Sequence, residues 1–112
     1  MALLGDADYL PVADMARHQQ AAWEAQSASV AARSDFYKAL WKGRPVPQRL
    51  EDLPELPLSD KAMLRLAQAD HPPFGNYLAT DVTAVNRLHR TSGTTGQAMN
   101  LALSARDAHV TA

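Results

Sequence analysis

Cysteine and isoleucine are both absent from this 112-residue chain, and aromatic residues make up only 6% of it. Without cysteine there can be no disulfide framework. An excess of positive charge is missing too: 11 Lys plus Arg stand against 12 Asp plus Glu, for a formal charge of −1. That balance provides no basic face of the kind that follows a nucleic-acid backbone. No apolar run approaches the length of a membrane span, and the opening residues lack a basic region and are interrupted by Asp6 and Asp8, unlike a secretory signal. The expectation is a cytoplasmic protein with no membrane and no nucleic-acid partner.

Large apolar side chains are also few. The hydrophobic fraction is 46%, but alanine supplies 21 of those residues, while Leu, Val and Phe together number 22 of 112. This lies near the level at which packed domains become doubtful, yet the near-zero net charge does not favour disorder. Such a composition suits apolar helix faces that expect cover, from the remainder of a domain or from a second chain.

Along the chain, residues 1–12 are acidic and carry Pro11, which reads as a flexible arm. Asp14 can cap a long helix, because no Pro or Gly follows before Gly43. Ala16, Trp23 and Val30 recur every seven residues and give it one narrow apolar stripe. Ser34 can break this helix and cap a short second one, with Phe36, Tyr37, Leu40 and Trp41 on one face and an end at Gly43. At helical spacing that aromatic cluster reads as core packing. Pro45, Pro47, Pro54 and Pro57 punctuate an extended connector. Helix resumes after Ser59, a possible cap, with Leu58 and Met63 placed for a hydrophobic staple, and stops at Asp70-His71-Pro72-Pro73.

From Asp81 the period changes to two. Val85, Arg87, His89 and Thr91 alternate with Asn86, Leu88 and Arg90, and Met99, Leu101 and Leu103 alternate with Asn100, Ala102 and Ser104. Two strands of an antiparallel hairpin are therefore expected, followed by a helix that starts at the capping-box spacing of Ser104 and Asp107. Asp35, Asp60 and Asp107 read as helix N-terminal charges. His18, His71, His89 and His109 have no metal-ligand spacing, so no metal site is expected.

The hairpin's loop is Thr91-Ser92-Gly93-Thr94-Thr95-Gly96-Gln97-Ala98. Its first six residues are four hydroxyls and two glycines. Hydroxyls donate to phosphate oxygens, and glycines permit close approach of backbone N–H groups and positive φ. Taken alone, the cluster fits an ordinary turn as well as an anion site. The lysine and glycine spacing of a P-loop is absent, as is the third glycine of a dinucleotide fingerprint. Gly93-Thr94-Thr95-Gly96 also matches the GxxG of a nucleic-acid-binding KH module, although it lies between strand patterns and contains no basic residue.

Thr-Ser-Gly-Thr-Thr-Gly resembles the phosphate loop of the adenylate-forming enzymes. The flanking Arg87-Leu88-His89, Phe74-Gly75, Leu56-Pro57-Leu58-Ser59-Asp60-Lys61 and Phe36-Tyr37 resemble the phenylacetate-CoA ligase branch of AMP-forming acyl-CoA ligases. The family usually places Lys-Pro where this chain has Gln97-Ala98, and a small residue where it has Arg90. The resemblance implies an α+β fragment of the α/β adenylate-forming ligase large domain: N-terminal helices, a Pro-rich connector, a helix, then a β-hairpin carrying the phosphate loop. Residues 13–112 would be the N-terminal part of an AMP-binding domain, truncated before the adenine, acyl and C-terminal lysine sites.

The implied reaction is two-step. A small-molecule carboxylate attacks the α-phosphate of ATP, pyrophosphate leaves, and the thiol of coenzyme A takes the acyl group. Thr91, Ser92, Gly93, Thr94, Thr95, Gly96 and Gln97 would hold the departing phosphates, with Mg2+ sharing the charge. His89 and Arg90 are possible accessory residues. The catalytic residues are not identified, and activity is expected of the complete protein and not of these 112 residues alone. Two other readings are carried beside this one: a nucleic-acid module using the GxxG loop, and a non-catalytic helical interaction segment.

Overall fold

The computed structural model describes residues 9–93 and 96–111, and among them the chain is α+β. Helices α1 (Val12–Arg33) and α2 (Asp35–Trp41) lead through a short 3-10 helix (Leu50–Glu55) to α3 (Lys61–Asp70). A second 3-10 turn (Val82–Ala84) precedes strands β1 (Val85–Arg90) and β2 (Asn100–Ser104), and α4 (Ala105–Thr111) follows.

Helix α1 begins at Val12 behind Pro11, so the cap expected of Asp14 is not used. Proline presets φ at a helix start and has no N–H to satisfy. Asp14 instead lies in the first turn and pairs with Arg17. Of the expected arm, residues 1–8 lie outside the described residues. The apolar stripe also differs from the expected heptad: Ala16 is exposed, Trp23 and Val30 are half-buried, and Ser27 is buried between them. Polar groups do the holding on this face. Trp23 Nε1 donates to Pro47 O at 2.9 Å, and Gln20 donates to Gln48 O at 2.6 Å while accepting from Leu50 N–H at 2.9 Å. A connector rich in proline makes few backbone ladders, so its free carbonyls are satisfied by side chains of the helix it crosses.

Ser34 separates α1 from α2 and is fully buried, its Oγ accepting from Tyr37 N–H at 3.3 Å. The chain leaves α2 through left-handed Lys42 and Gly43. The aromatic residues of α2 form core contacts, Phe36 edge-on to Tyr37 at 4.9 Å and to Tyr77 at 6.3 Å, with Trp41 buried beside Tyr37.

At α3 the cap shifts by one residue from the expected position. Asp60 Oδ1 accepts from Met63 N–H at 2.8 Å, because the Ser59 hydroxyl is engaged with Tyr37 Oη at 3.0 Å. Leu58 thereby falls one position too early for a staple and is 84% exposed. At the other end of the chain the Ser104–Asp107 capping box is formed in both directions, each backbone N–H meeting the other side chain at 3.2 Å.

The two strands pair antiparallel, with Arg87 opposite Leu103, His89 opposite Leu101 and Arg90 opposite Asn100. A bulge between Val85 and Arg87 breaks the expected alternation, since Val85 faces Ser104 while Arg87 faces Leu103. One extra residue on β1 moves Val85 to the face of Leu88. The buried apolar set among the described residues is small: Trp41, Leu56, Ala67, Met99 and Ala108. Exposed surface totals 7974 Å², against about 6,000 Å² for a closed monomer of 12.2 kDa.

Candidate functional site

The loop of residues 91–98 is pinched at its neck. Thr91 N–H donates to Met99 O at 3.0 Å, and Met99 N–H donates to Thr91 Oγ1 at 2.8 Å. The threonine hydroxyl is thus oriented as an acceptor, which leaves its own proton for another acceptor. Met99 is 3% exposed and anchors the neck in the core.

Gly93 has φ +68°, and a Cβ there would stand 2.9 Å from Gly96 O and 3.0 Å from Ala98 N. Any other residue would be strained in the left-handed region and would collide with the loop's own backbone. The loop closes internally through Gly96 N–H, which donates to Gly93 O at 3.2 Å. In this conformation an anion must displace that bond to use the Gly96 amide. Ser92, Gly96 and Gln97 are exposed, and Thr94 and Thr95 lie outside the described residues.

His89 and Arg90 are both exposed on β1. As successive strand residues they project from opposite faces of the hairpin, so the structure does not gather the two accessory candidates on one side.

What holds the loop in place comes largely from elsewhere in the chain. Gln68 of α3 is 6% exposed, and its amide donates to Ala98 O at 3.0 Å while accepting from Asn100 N–H at 2.7 Å. These are the two groups a neighbouring parallel strand would bind. Asn100 is also held by Pro73 O, which accepts from its Nδ2 at 2.9 Å, and by Tyr77 Oη, which donates to Asn100 O at 3.2 Å. Burial raises the Tyr77 pKa above its ordinary value. The turn that aims Tyr77 depends on Gly75, buried at φ +78°, where a Cβ would come within 2.7 Å of Tyr77 Cδ1. One turn before Gln68, Arg65 approaches the loop, with Nη1 4.0 Å from the position a Cβ would take on Gly96.

Sequence reading did not single out Arg65, Gln68, Tyr77 or Asn100. The only local signal was an amide and a guanidinium spaced three apart in an amphipathic helix. Nothing local says that this face meets a segment thirty residues later.

Among the described residues no cluster of three His, Asp or Glu could hold a metal ion. No described helix is long and apolar enough to cross a membrane. Two recesses among the described residues lie apart from the loop. One of 420 Å³ is bounded by Arg44, Pro47 and Leu56, and one of 270 Å³ by Phe36, Met63 and His71.

No family model matches this chain, and no curated protein matches it significantly. Solved structures do. The chain is similar to 2-hydroxyisobutyryl-CoA ligase in complex with 2-HIB-AMP and CoA in the thioesterification state. The TM-score is 0.74 at 27% identity, over 88% of this chain and 22% of that one. An open conformation of the same ligase with 2-HIB-AMP and CoA gives a TM-score of 0.73 at 24% identity, over 88% and 23%. The postadenylation state with 2-HIB-AMP gives 0.73 at 24%, over 88% and 21%. The chain therefore spans less than a quarter of the length of these structures, and over that stretch it has the fold of an acyl-CoA ligase of the adenylate-forming superfamily.

Proposed function

We propose that this chain is the N-terminal, phosphate-gripping part of an ATP-dependent, AMP-forming carboxylate–CoA ligase of the phenylacetate-CoA-ligase kind. The observation that carries the reading is the glycine- and hydroxyl-rich loop at 91–98, displayed at the end of a hairpin within the fold of a ligase captured with an acyl-adenylate and CoA.

In this reading the carboxylate of a small-molecule substrate attacks the α-phosphate of ATP, and negative charge builds on the departing pyrophosphate. The loop meets that charge with the Thr91 and Ser92 hydroxyls and the Gly93 amide; Thr94, Thr95 and Gln97 take part by sequence position. The Gly96 amide joins once its bond to Gly93 O opens. CoA then takes the acyl group. Among the described residues no three His, Asp or Glu are gathered in one place, and Asp107 is engaged in the Ser104 capping box.

The exposed Leu58, Leu66 and Leu88 fit the same proposal: they are faces that the rest of a ligase domain, or a second chain, would cover. The GxxG nucleic-acid alternative gains nothing from the structure, in which the motif lies between two antiparallel strands of a chain carrying a formal charge of −1.

The test is an NMR titration of the chain with pyrophosphate. The Gly93 and Gly96 amide resonances are expected to move together as the Gly96 N–H exchanges Gly93 O for a phosphate oxygen. Amides that stay fixed while the β1–β2 cross-strand contacts persist would reduce the loop to an ordinary turn.

A further inference from the structure

The two edges of the hairpin differ in what meets them. Thr91 N–H donates to Met99 O, which makes these two a hydrogen-bonded pair. Such pairs alternate along an antiparallel ladder, so the N–H and C=O of Leu88 and Arg90 on β1, and of Asn100 and Ala102 on β2, point away from the partner strand. Along β2 this outer row is largely taken. Gln68 holds Asn100 N–H at 2.7 Å, Tyr77 Oη donates to Asn100 O at 3.2 Å, and Asp107 holds Ser104 N–H at 3.2 Å. Along β1 nothing among the described residues meets the outward groups of Leu88 and Arg90, and the strand is exposed from Asn86 to its end.

We infer that the outer edge of β1 takes a further β-strand, one that carries carboxylates opposite Arg87 and Arg90. Its source rests on the proposed function: the strand belongs to the rest of the ligase domain, since this chain covers 22% of a ligase of the same fold. The described strands form a sheet of two. A hairpin of that size is marginally stable by itself and is secured by a third strand.

Charge selects the occupant. β1 reads Val-Asn-Arg-Leu-His-Arg, without an acidic residue, and neither Arg87 nor Arg90 joins an ion pair among the described residues. A second copy paired antiparallel would set Arg87, His89 and Arg90 against the same three residues, and like charges across a seam are unfavourable. Charged edges keep identical edges apart for this reason. An acidic strand turns the same two arginines into attractive cross-strand partners. Leu88, 51% exposed between them, is matched by an apolar residue opposite. Read antiparallel from Arg90 to Arg87, the incoming strand therefore runs acid, any residue, apolar, acid.

The experiment titrates the chain with the N-acetylated, C-amidated peptide Thr-Glu-Thr-Val-Glu-Thr and with the same peptide carrying lysine for both glutamates. With the acidic peptide, hydrogen exchange at the Leu88 and Arg90 amides should slow while that at Ala102, on the opposite edge, stays as it was. The basic peptide should bind about tenfold more weakly, the scale of two cross-strand pairs changed from attraction to repulsion. Arg87→Glu combined with Arg90→Glu should reverse that preference. Leu88→Pro removes an N–H that β2 does not use, so it should abolish peptide binding and leave the His89 to Leu101 pairing in place.

If neither peptide protects Leu88 and Arg90, the arginines only guard the edge and the inference is overturned. Equal binding of the two peptides, or a charge preference that the double variant does not reverse, overturns the acidic occupant. Protection of the same amides that grows with protein concentration, without any peptide, makes a second copy the occupant and overturns it too. The phosphate loop is read separately, through the Gly93 amide and pyrophosphate. Failure there removes the ligase domain as the source of the strand, whereas failure of the peptides leaves the proposed function standing.

Discussion

Gln68 accepts a hydrogen bond from the backbone N–H of Asn100 at 2.7 Å across thirty-two residues of sequence, and the same amide group holds Ala98 O at 3.0 Å. One side chain thus takes the place of a neighbouring strand for the segment that returns from the phosphate loop. The position of the loop depends on a helix that contributes none of its hydroxyls.

Replacing Gln68 by leucine keeps the volume and removes both bonds, leaving a part-buried N–H and C=O without partners. The expected loss is about 2–3 kcal/mol of stability. Hydrogen exchange at Asn100 should rise at least in proportion, while amides of α1 change little. Gln68→Glu should be intermediate, since a carboxylate can accept from Asn100 N–H but cannot donate to Ala98 O. Equal stability of Gln68→Leu and the parent would show that the clamp contributes nothing.

Two glycines with similar φ separate backbone strain from crowding. Gly43 at φ +70° has open space around a would-be Cβ, whereas Gly75 at φ +78° has the Tyr77 ring in the way. Gly43→Ala should cost about 1 kcal/mol, the penalty of the left-handed region alone. Gly75→Ala should cost more, roughly 2–4 kcal/mol, because the ring must move and its bond to Asn100 O is lost. Chemical denaturation of the two variants side by side decides this, and equal losses would contradict it.

Tyr77 makes stability depend on pH at the alkaline end. Burial raises its pKa in the folded chain above the ordinary tyrosine value. Below about pH 10 the group is protonated in both folded and unfolded states and its full contribution is present. As pH rises past that point the unfolded chain loses the proton first, so stability falls until the folded chain ionises too. Melting temperature should therefore drop more steeply above about pH 10 in the parent than in Tyr77→Phe. Parallel curves would mean that Tyr77 ionises alike in both states.

Gln97 is exposed and follows the loop's second glycine, so on the proposed function a lysine there adds a positive charge beside bound phosphate without removing any hydroxyl or glycine amide of the loop. At a separation of about 4 Å one such charge pair is worth on the order of 1 kcal/mol in water, and more where water is partly excluded. Gln97→Lys is expected to bind pyrophosphate roughly tenfold more tightly at low ionic strength. The gain should shrink as salt is added. Calorimetry at two salt concentrations measures both effects, and an affinity that does not change would place position 97 away from the phosphates.

The sequence by itself determined the features that arise from neighbours in the chain. The break at Ser34, the stop at Asp70, the Ser104–Asp107 capping box and the glycine-rich turn between two period-two segments are all set within a few residues, by caps, prolines and alternation. Where two local candidates competed, tertiary contacts chose between them. Ser59 could cap α3 as well as Asp60 could, until Tyr37 Oη took its hydroxyl. The alternation of β1 could run unbroken through Val85, until pairing with β2 required a bulge. The support of the loop was not legible at all, because Gln68 carries no local mark of what it faces. Its role follows only from packing α3 beneath the hairpin, where polar groups removed from water must find partners, and those partners lie about thirty residues away.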